Sequence, residues 1–237
     1  MVGYSDKIVL VTGARRGVGQ LLTGHFLSQG AQVIGFNRHE DERPPAAGYT
    51  PLRVDVCDEG SVARGFEQVR QRFGRVDIAV NNAAVLTSQY AMILPASAAR
   101  SMLETNVLGT FLVSRGAAKL MRKAKWGRII NISSMAAGLE PIGDSVYAAS
   151  KAAVSSLANV MAKEFAALNI TCNTLAITAI ATDMLSQLPK DKIDQIIAGL
   201  PLPRYATADD IFNVVDFFAS ERSSYITAQT VFLGGVS

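Results

Sequence analysis

The sequence predicts an α/β fold, a doubly wound and mostly parallel seven-stranded sheet with helices on both faces. Short apolar runs rich in Val and Ile alternate with amphipathic stretches from one end of the chain to the other, which is the pattern of repeated βαβ units. A glycine-rich turn directly follows the first apolar run. The chain has 237 residues, of which 49% are hydrophobic and 18% charged, enough for one large core and hardly for two. We therefore expect a single domain over residues 1–237.

The strands are predicted where the apolar runs are brief and continuous, because strands of a parallel sheet are buried on both faces. The predicted strands are Lys7–Thr12, Gln32–Phe36, Leu52–Val56, Ile78–Val80, Arg128–Ser133, Thr171–Ile177 and Thr230–Leu233.

The helices are predicted where apolar residues recur at helical spacing between these strands. They are Val18–Gln29, Glu59–Phe73, Ser97–Lys123, Val146–Leu168 and Ala208–Ser220. Thr207 and Asp210, three residues apart, are typical of the start of the last helix. Strands and helices in this order form right-handed crossovers.

Charge and composition exclude several classes of protein. Lys and Arg number 23 and Asp and Glu 20, a net charge of +3, which argues against a nucleic-acid binder. The densest basic stretch is read as a solvated helix end; it comprises Lys119, Arg122, Lys123, Lys125 and Arg128. No apolar run approaches the roughly 18 to 20 residues that cross a bilayer, and the run Ile8–Val11 is too short for a signal peptide. We expect a cytoplasmic protein with no membrane partner.

Cysteine and histidine are scarce. Cys57 and Cys172 lie far apart without CxxC spacing, so a disulfide framework and a metal site are not expected. His25 and His39 are the only histidines, and neither GxSxG nor HExxH occurs. Hydrolysis by a Ser-His-Asp triad or a zinc site is therefore nearly excluded.

The turn after the first strand has the features of a dinucleotide site. It reads Thr12-Gly13-Ala14-Arg15-Arg16-Gly17-Val18-Gly19 and leads into a helix. Glycines here allow a tight turn and close approach of a pyrophosphate, while the helix N-terminus offers free N–H groups. No Gly-Lys-Ser/Thr follows, so a Walker-type phosphate loop is not met. The turn predicts a Rossmann-type nucleotide fold.

Tyr147 and Lys151 are four residues apart, one turn of a helix, on the same face. A free phenol titrates near pH 10, and a neighbouring ammonium favours its phenolate. The pair is thus a candidate for acid–base chemistry.

The chain resembles the short-chain dehydrogenase/reductase family, and within it most closely the group of 3-oxoacyl-acyl-carrier-protein reductases. The resemblance rests on the GxxxGxG turn and on motifs that follow it in the family's order: Asn81-Asn82-Ala83-Ala84, Asn106, Ile132-Ser133-Ser134, Tyr147-Ala148-Ala149-Ser150-Lys151, Thr182-Asp183-Met184 and Gly234-Gly235. It covers essentially the whole chain. It implies an oxidoreductase that interconverts a ketone and a secondary alcohol by hydride transfer.

The resemblance implies the role of each site residue. Tyr147 is the general acid, Lys151 tunes it and binds the nicotinamide ribose, Ser134 stabilises the substrate oxygen, and Asn106 holds a water that links Lys151 to solvent. The implied cofactor-binding residues are Gly13, Arg16, Gly17, Val18, Gly19, Arg38, Asp55, Val56, Asn82, Ala83, Tyr147, Lys151, Ile180 and Thr182.

Three departures from the family pattern bear on substrate choice. Ala84 stands where the family usually has Gly, Ile177-Thr178 replaces Pro-Gly beside the nicotinamide, and Ala228 replaces a Gly before the last strand. The four catalytic residues are unchanged, so we expect an enzyme. Two alternatives remain: a reductase of 3-oxoacyl chains on an acyl carrier protein, and a non-catalytic dinucleotide sensor suggested by the altered loop.

The end of the second strand predicts NADP(H) in preference to NAD(H). It reads Phe36-Asn37-Arg38-His39, with no carboxylate before Glu40, whereas NAD-specific sites place Asp or Glu on the ribose hydroxyls. Arg38 is the predicted reader of the 2′-phosphate because a guanidinium grips phosphate bidentately. The alternative is that Arg38 is a surface charge and the loop Glu40–Arg43 contacts the ribose.

A homotetramer is predicted from two helices, Ser97–Lys123 and Val146–Leu168. They carry small or apolar residues on more than one face, including Ala152, Ala153, Ser156 and Ala158. A helix with one core stripe does not need a second apolar face, and the resemblance implies a tetramer built on these helices.

Overall fold

The computed structural model, which describes residues 3–40, 46–180 and 190–236, contains one seven-stranded sheet. Its order is β3-β2-β1-β4-β5-β6-β7 and every neighbouring pair is parallel. The strands are β1 Ile8–Thr12, β2 Gln32–Asn37, β3 Tyr49–Arg53, β4 Ile78–Asn81, β5 Gly127–Ser134, β6 Ile170–Ile177 and β7 Thr230–Phe232. The doubly wound fold predicted from the sequence is confirmed.

The described helices connect these strands. They are α1 Gly17–Ser28, α2 Glu59–Phe73, α3 Ala96–Leu103, α4 Gly109–Met121, α5 Ala136–Leu139, α6 Ser145–Phe165, α7 Lys190–Ala198 and α8 Ala208–Ala219. The predicted N-terminal cap of α8 is present as a full capping box: Thr207 accepts from the Asp210 N–H and Asp210 accepts from the Thr207 N–H.

Side chains of successive strand residues alternate between two cores, one on each face of the sheet. Val9 and Val11 of β1 pack with α1 and α8, in a cluster that includes Phe26 and Phe218. Leu10, between them, packs on the other face with residues of α2, α4 and α6. Because both faces are covered, the central strands are apolar throughout.

The third strand lies three residues earlier than predicted. It runs over Tyr49–Arg53, not Leu52–Val56, and contains Pro51. A proline lowers strand propensity, but β3 is the edge of the sheet, where a missing N–H is tolerated. Val54 and Val56 are nevertheless buried, which explains why their apolar pattern resembled a strand.

The predicted helix Ser97–Lys123 is not continuous. A π-helical turn, Glu104–Leu108, separates α3 from α4 and includes the buried Asn106. Such turns insert one residue into the α-helical hydrogen-bond pattern and often occur at functional sites. The predicted helix Val146–Leu168 also ends early, at Phe165, and continues as a short 3-10 turn, Ala166–Leu168.

Candidate active site

A cavity of about 610 Å³ opens at the carboxyl ends of the central strands. Here β1 pairs with β2 on one side and with β4 on the other, and open α/β sheets bind ligands at such a switch point. The volume is typical of a cofactor site. The cavity is lined by most of the predicted cofactor-binding residues: Gly13, Arg16, Gly17, Val18, Arg38, Asp55, Val56, Asn82, Ala83, Tyr147, Lys151 and Ile180. Thr182 lies outside the described residues.

The turn between β1 and α1 requires its glycines. Gly13 has a φ of 64°, a left-handed conformation that side chains avoid. A Cβ at Gly19 would lie 2.1 Å from the carbonyl oxygen of Gly13, so α1 can pack against the turn only without one. Arg16, the N-cap residue of α1, makes no side-chain capping bond. The helix N-terminus therefore offers its N–H groups to the cavity, which suits a phosphate.

Thr12 joins this turn to the loop after β4. Its Oγ1 accepts hydrogen bonds from the backbone N–H groups of Asn82 and Ala83, both at 2.9 Å. The Asn82 side chain donates in return to the Thr12 carbonyl at 3.0 Å. The two loops thus form one floor of the cavity, supported by a threonine that the sequence analysis did not single out.

Basic side chains border one end of the cavity. They are Arg15, Arg16, Arg38 and His39. Arg15 Nη1 donates to the Glu40 carbonyl at 2.7 Å, and Arg38 Nε donates to His39 Nε2 at 3.2 Å. Asp55 is the one carboxylate residue among the described residues that line this cavity, and its Oδ1 accepts the Cys57 N–H at 3.0 Å. This end favours an anionic group.

Asn37 is a lining residue that the sequence analysis missed. It ends β2 and is buried, and its Nδ2 donates to the Tyr49 hydroxyl at 3.3 Å. Its Oδ1 is buried with no hydrogen-bond partner among the described residues, an arrangement that costs free energy until a donor is supplied. The hydroxyls of a nucleotide ribose are donors of the required kind. The cavity thus offers an acceptor for a ribose hydroxyl, free N–H groups at the start of α1 for a phosphate and a basic end for an anionic group. Together these features fit a dinucleotide.

Tyr147 and Lys151 line the cavity, and Ser134 lies next to Tyr147. Ser134 ends β5, whereas Tyr147 and Lys151 lie one turn apart on α6. Lys151 Nζ is 5.8 Å from the centre of the Tyr147 ring and donates to the Ile132 carbonyl at 2.9 Å. A hydrogen bond joins the side chains of Ser134 and Tyr147. The group can pass a proton to or from an oxygen bound beside Ser134.

Burial controls the ionisation of this pair. It raises the pKa of Tyr147 to about 12; the Ser134 hydrogen bond opposes this shift and the Asp144 carboxylate adds to it. Burial also lowers the pKa of Lys151 to about 8. The expectation that Lys151 favours the phenolate is not met by these directions, because both side chains are almost fully buried and burial disfavours the charged form of each.

Asn106 lies in the π-helical turn and holds two segments together. Its Oδ1 accepts the Val85 N–H at 2.9 Å, and its Nδ2 donates to the Val85 carbonyl and to Ser150 Oγ, at 3.0 and 2.9 Å. These bonds occupy the side chain, and its backbone carbonyl accepts from Thr110 Oγ1 at 2.8 Å. The structure thus gives Asn106 a positioning contact with α6; the water that it was predicted to hold stays a prediction.

A second, smaller cavity of about 100 Å³ adjoins the first. Both cavities are lined by Tyr147, Leu86, Ile177 and Ile180, so the Tyr147 phenol stands where the two cavities meet. Thr178, the residue that replaces a family glycine, also lines it and is buried, with its Oγ1 3.2 Å from Met135 Sδ. The altered loop therefore packs into the wall and leaves the phenol and Ser134 in the cavity.

In residues 3–40, 46–180 and 190–236, no helix has the length and apolar character needed to cross a membrane. The same residues hold no cluster of three or more His, Cys, Asp or Glu side chains that could bind a metal ion.

Comparison with known proteins links this site to a family. A family model described as Enoyl-(Acyl carrier protein) reductase matches residues 13–236. The 3-oxoacyl-(acyl-carrier-protein) reductase FabG of Salmonella typhimurium is 34% identical over 239 residues, covering 99% of this chain and 98% of its own length.

Solved structures agree on the fold. Levodione reductase superimposes with a TM-score of 0.89 at 26% identity, over 97% of this chain and 96% of its own. A putative gluconate dehydrogenase from Agrobacterium tumefaciens also gives a TM-score of 0.89, at 23% identity, over 98% of this chain and 96% of its own.

Proposed function

This chain belongs to the short-chain dehydrogenase/reductase family, and we propose that it reduces a ketone to a secondary alcohol with NADPH, using Tyr147 as the general acid. Membership of this family makes the chain an oxidoreductase that acts on the CH–OH/C=O pair. The alternative of a non-catalytic dinucleotide sensor is therefore not favoured. One observation carries the proposal: Tyr147 stands between a cavity that fits a dinucleotide and a smaller one that can take a carbonyl substrate.

Proton transfer is the task of the protein's own residues. A bound nicotinamide supplies the hydride. Because burial raises the pKa of Tyr147 to about 12, the phenol is protonated at neutral pH and ready to donate to the substrate oxygen. In the reverse direction the phenolate must accept the alcohol proton, so oxidation is expected to accelerate as pH rises.

Ser134 and Lys151 assist that transfer. Ser134 Oγ, which accepts the Ala136 N–H at 3.1 Å, is held beside the phenol and can donate to the oxygen that gains negative charge. Lys151 Nζ is fixed by the Ile132 carbonyl and has two further donors for the ribose hydroxyls. Its positive charge favours the phenolate once proton transfer begins.

The preference for NADPH rests on the basic end of the large cavity. Arg38 and Arg16 border it, and charge-assisted hydrogen bonds to a 2′-phosphate stabilise binding by about 1.5–3 kcal/mol. Asn37 supplies a neutral acceptor for ribose where an NAD-specific site has a carboxylate.

Replacing Tyr147 tests the proposal. Tyr147→Phe should reduce the turnover of NADPH with a ketone panel by about 10²–10⁴-fold, while leaving the NADPH dissociation constant nearly unchanged, because only the acidic proton is lost. Lys151→Ala should lower the turnover and also weaken NADPH binding. A Tyr147→Phe enzyme that kept more than about a tenth of wild-type turnover would be incompatible with acid catalysis by this residue.

Reduction of 3-oxoacyl chains on an acyl carrier protein is the second candidate. The FabG relatives favour it. The basic stretch, predicted to be a solvated helix end, gives little support as a surface for an acidic carrier. Arg128 is buried, and the exposed Lys119, Arg122, Lys123 and Lys125 precede β5, roughly 23 Å along that eight-residue strand from Ser134. Turnover confined to acyl-carrier thioesters within a panel of ketones, sugars and thioesters would favour this candidate.

We propose that the protein assembles as a homotetramer, and its exposed apolar side chains support an interface. Leu103, Leu108 and Val160 of α3, the π-helical turn and α6 are 47%, 42% and 51% exposed, large fractions for apolar side chains that a partner subunit can cover. Ala152 and Ser156 of α6 are also exposed. Ala158 is buried in the core, so its predicted position on a second, subunit-facing side of the helix is wrong. We place the protein in the cytoplasm, where two free cysteines are stable.

A further inference from the structure

We propose that the small cavity binds an uncharged, apolar group of about four carbon atoms beside the reacting carbonyl. The preferred substrates are then neutral ketones and alcohols with a compact hydrocarbon substituent. This inference rests on the proposed function and narrows it to a substrate class. The apolar wall of the cavity, the bonds already made by its polar side chains and its volume support it.

Two apolar clusters form the wall of the small cavity. Met135, Ile193 and Ile196 line the cavity and belong to one cluster, which joins the segment after β5 to α7. Leu86, on the side shared with the large cavity, packs against a second cluster that contains Tyr147 itself. A hydrocarbon group held between the two clusters is removed from water, and the gain is proportional to the apolar area that it buries.

The polar side chains of this wall are engaged by the protein. Thr178 Oγ1 donates to Met135 Sδ at 3.2 Å, Asp144 has an interaction partner within the protein, and Ser134 is hydrogen-bonded to Tyr147. No Lys, Arg or His is among the described residues that line the cavity. A charged substituent would therefore give up its hydration without gaining a partner, which is costly in free energy.

The volume of the cavity limits the group to a compact one. An apolar cavity of about 150 Å³ holds benzene. The small cavity has about 100 Å³, which at the same packing is room for about four carbon atoms. Because the two cavities meet at Tyr147, a carbonyl oxygen can reach the phenol while the hydrocarbon group fills the small cavity.

Matched cyclohexanones test the proposal by NADPH oxidation. The probe is 4-methylcyclohexanone, which is neutral and carries four carbon atoms beyond the carbonyl and its two neighbouring carbons. It is compared with the anionic 4-oxocyclohexanecarboxylate, with N-methyl-4-piperidone where its amine is protonated, and with the bulkier 4-tert-butylcyclohexanone. For the wild-type enzyme, kcat/KM should be about 10-fold or more higher for 4-methylcyclohexanone than for each of the other three.

Ile196 allows the wall to be changed without altering Ser134, Tyr147 or Lys151. It lines the cavity and is partly buried on α7. Ile196→Lys should raise kcat/KM for the carboxylate ketone, relative to 4-methylcyclohexanone, by about 10-fold, because the ammonium gives the anion a partner. Ile196→Ala should raise the relative kcat/KM for the tert-butyl ketone by a similar factor, because it removes part of the wall.

Gln195 provides the matched controls. It is the exposed neighbour of Ile196 on α7 and does not belong to the described lining of the cavity. Gln195→Lys and Gln195→Ala should therefore leave all the ratios as in the wild type. Equal kcat/KM for neutral and charged ketones in the wild type would overturn the inference while leaving the proposed reduction intact. So would ratios in Ile196→Lys that equal those in Gln195→Lys.

A binding measurement separates the two ideas if no ketone is reduced. Calorimetric titration of the protein mixed with NADPH should show 4-methylcyclohexanone bound more tightly than the charged ketones, with the carboxylate ketone gaining affinity in Ile196→Lys. That result without turnover would support the preference of the cavity and contradict the proposed reaction. Absence of the preference in the wild type would overturn the inference, whatever the turnover.

Discussion

Lys151, for which we propose a part in proton transfer, is buried at the expense of stability. It is 4% exposed, and burial lowers its pKa from 10.5 to about 8. Below about pH 8 it is charged in both folded and unfolded states, so the full cost of burying the charge is present. Between about 8 and 10.5 the unfolded state holds more protons, so stability rises with pH.

Lys151→Met should therefore stabilise the ligand-free protein. The lowered pKa of Lys151 corresponds to a cost of about 3 kcal/mol for burying its charge, which the variant avoids. The variant also loses the hydrogen bond to the Ile132 carbonyl, which offsets about 1 kcal/mol of that gain. We expect the free energy of unfolding near neutral pH to increase by about 2 kcal/mol, and the gain to vanish as pH approaches 10.5. Denaturant unfolding across pH measures this. Lys163→Met, at an exposed site on the same helix, should show no such gain; a less stable Lys151→Met at neutral pH would contradict the argument.

Arg38 and Asn37 are both expected to favour NADPH, so a carboxylate at either position should shift the preference towards NADH. Arg38→Asp should weaken NADPH binding by about 2–3 kcal/mol and change NADH little, because it removes the partner of the 2′-phosphate. Asn37→Asp should favour NADH, since a carboxylate accepts from the ribose hydroxyls and repels the phosphate. Fluorescence titration of the unmodified protein and of each variant with both nucleotides gives the dissociation constants, with Arg72→Asp on the outer surface of α2 as the charge control. Equal affinities of the unmodified protein for NADH and NADPH would refute the assignment.

At the scale of elements, the approach to β7 contains a strained residue. Ala228 has a φ of 56°, in the left-handed region that costs a side-chain-bearing residue about 1–2 kcal/mol. Its N–H donates to the Cys172 carbonyl at 2.9 Å, which keeps it in that conformation beside β6. Ala228, which stands where the family usually has glycine, therefore adopts the left-handed conformation at a cost in folding free energy.

Ala228→Gly should remove that cost. The gain is reduced by the greater entropy of a glycine in the unfolded chain, and we expect a net increase in unfolding free energy of about 0.5–1 kcal/mol. Ala63→Gly, at an exposed position within α2, should instead lose about 1 kcal/mol. Thermal unfolding of the two variants side by side tests this; destabilisation by both would show that Ala228 carries no strain.

The elements also show how far the sequence alone could lead. Six strands were placed within two residues because their buried, β-branched runs have one interpretation. The predicted bounds of α2, Glu59–Phe73, are also correct; in the structure Asp58 caps the helix at its N-terminus and Gly74 ends it. The remaining strand, β3, was predicted three residues too late. Pro51 is tolerated there because β3 lies at the edge of the sheet, and the sequence alone does not give the strand order. The π-helical turn at Asn106 and the unsatisfied Oδ1 of Asn37 depend on contacts between distant segments, and helical periodicity carries no signal for them.

At the scale of the molecule, the exposed apolar surface of α3, the π-helical turn and α6 predicts assembly. Light scattering at micromolar concentration should give about four times 25.3 kDa. Val160→Glu should lower that mass by placing a charge in the interface. Leu21→Glu, on α1 at 38% exposure, should not. A mass near 25 kDa for the unmodified protein would contradict the tetramer.

The central place of β1 has a consequence for how the protein is made. β1 is synthesised before the other strands of the sheet, yet one of its edges stays unpaired until β4, with Ile78–Asn81, has left the ribosome. For that interval, Val9, Leu10 and Val11 form an open, wholly apolar edge, the kind that recruits strands from other chains. Translation that slows between α2 and β4 should therefore prolong the aggregation-prone stage of the nascent chain, whereas a pause after Asn81 meets an edge that is already closed.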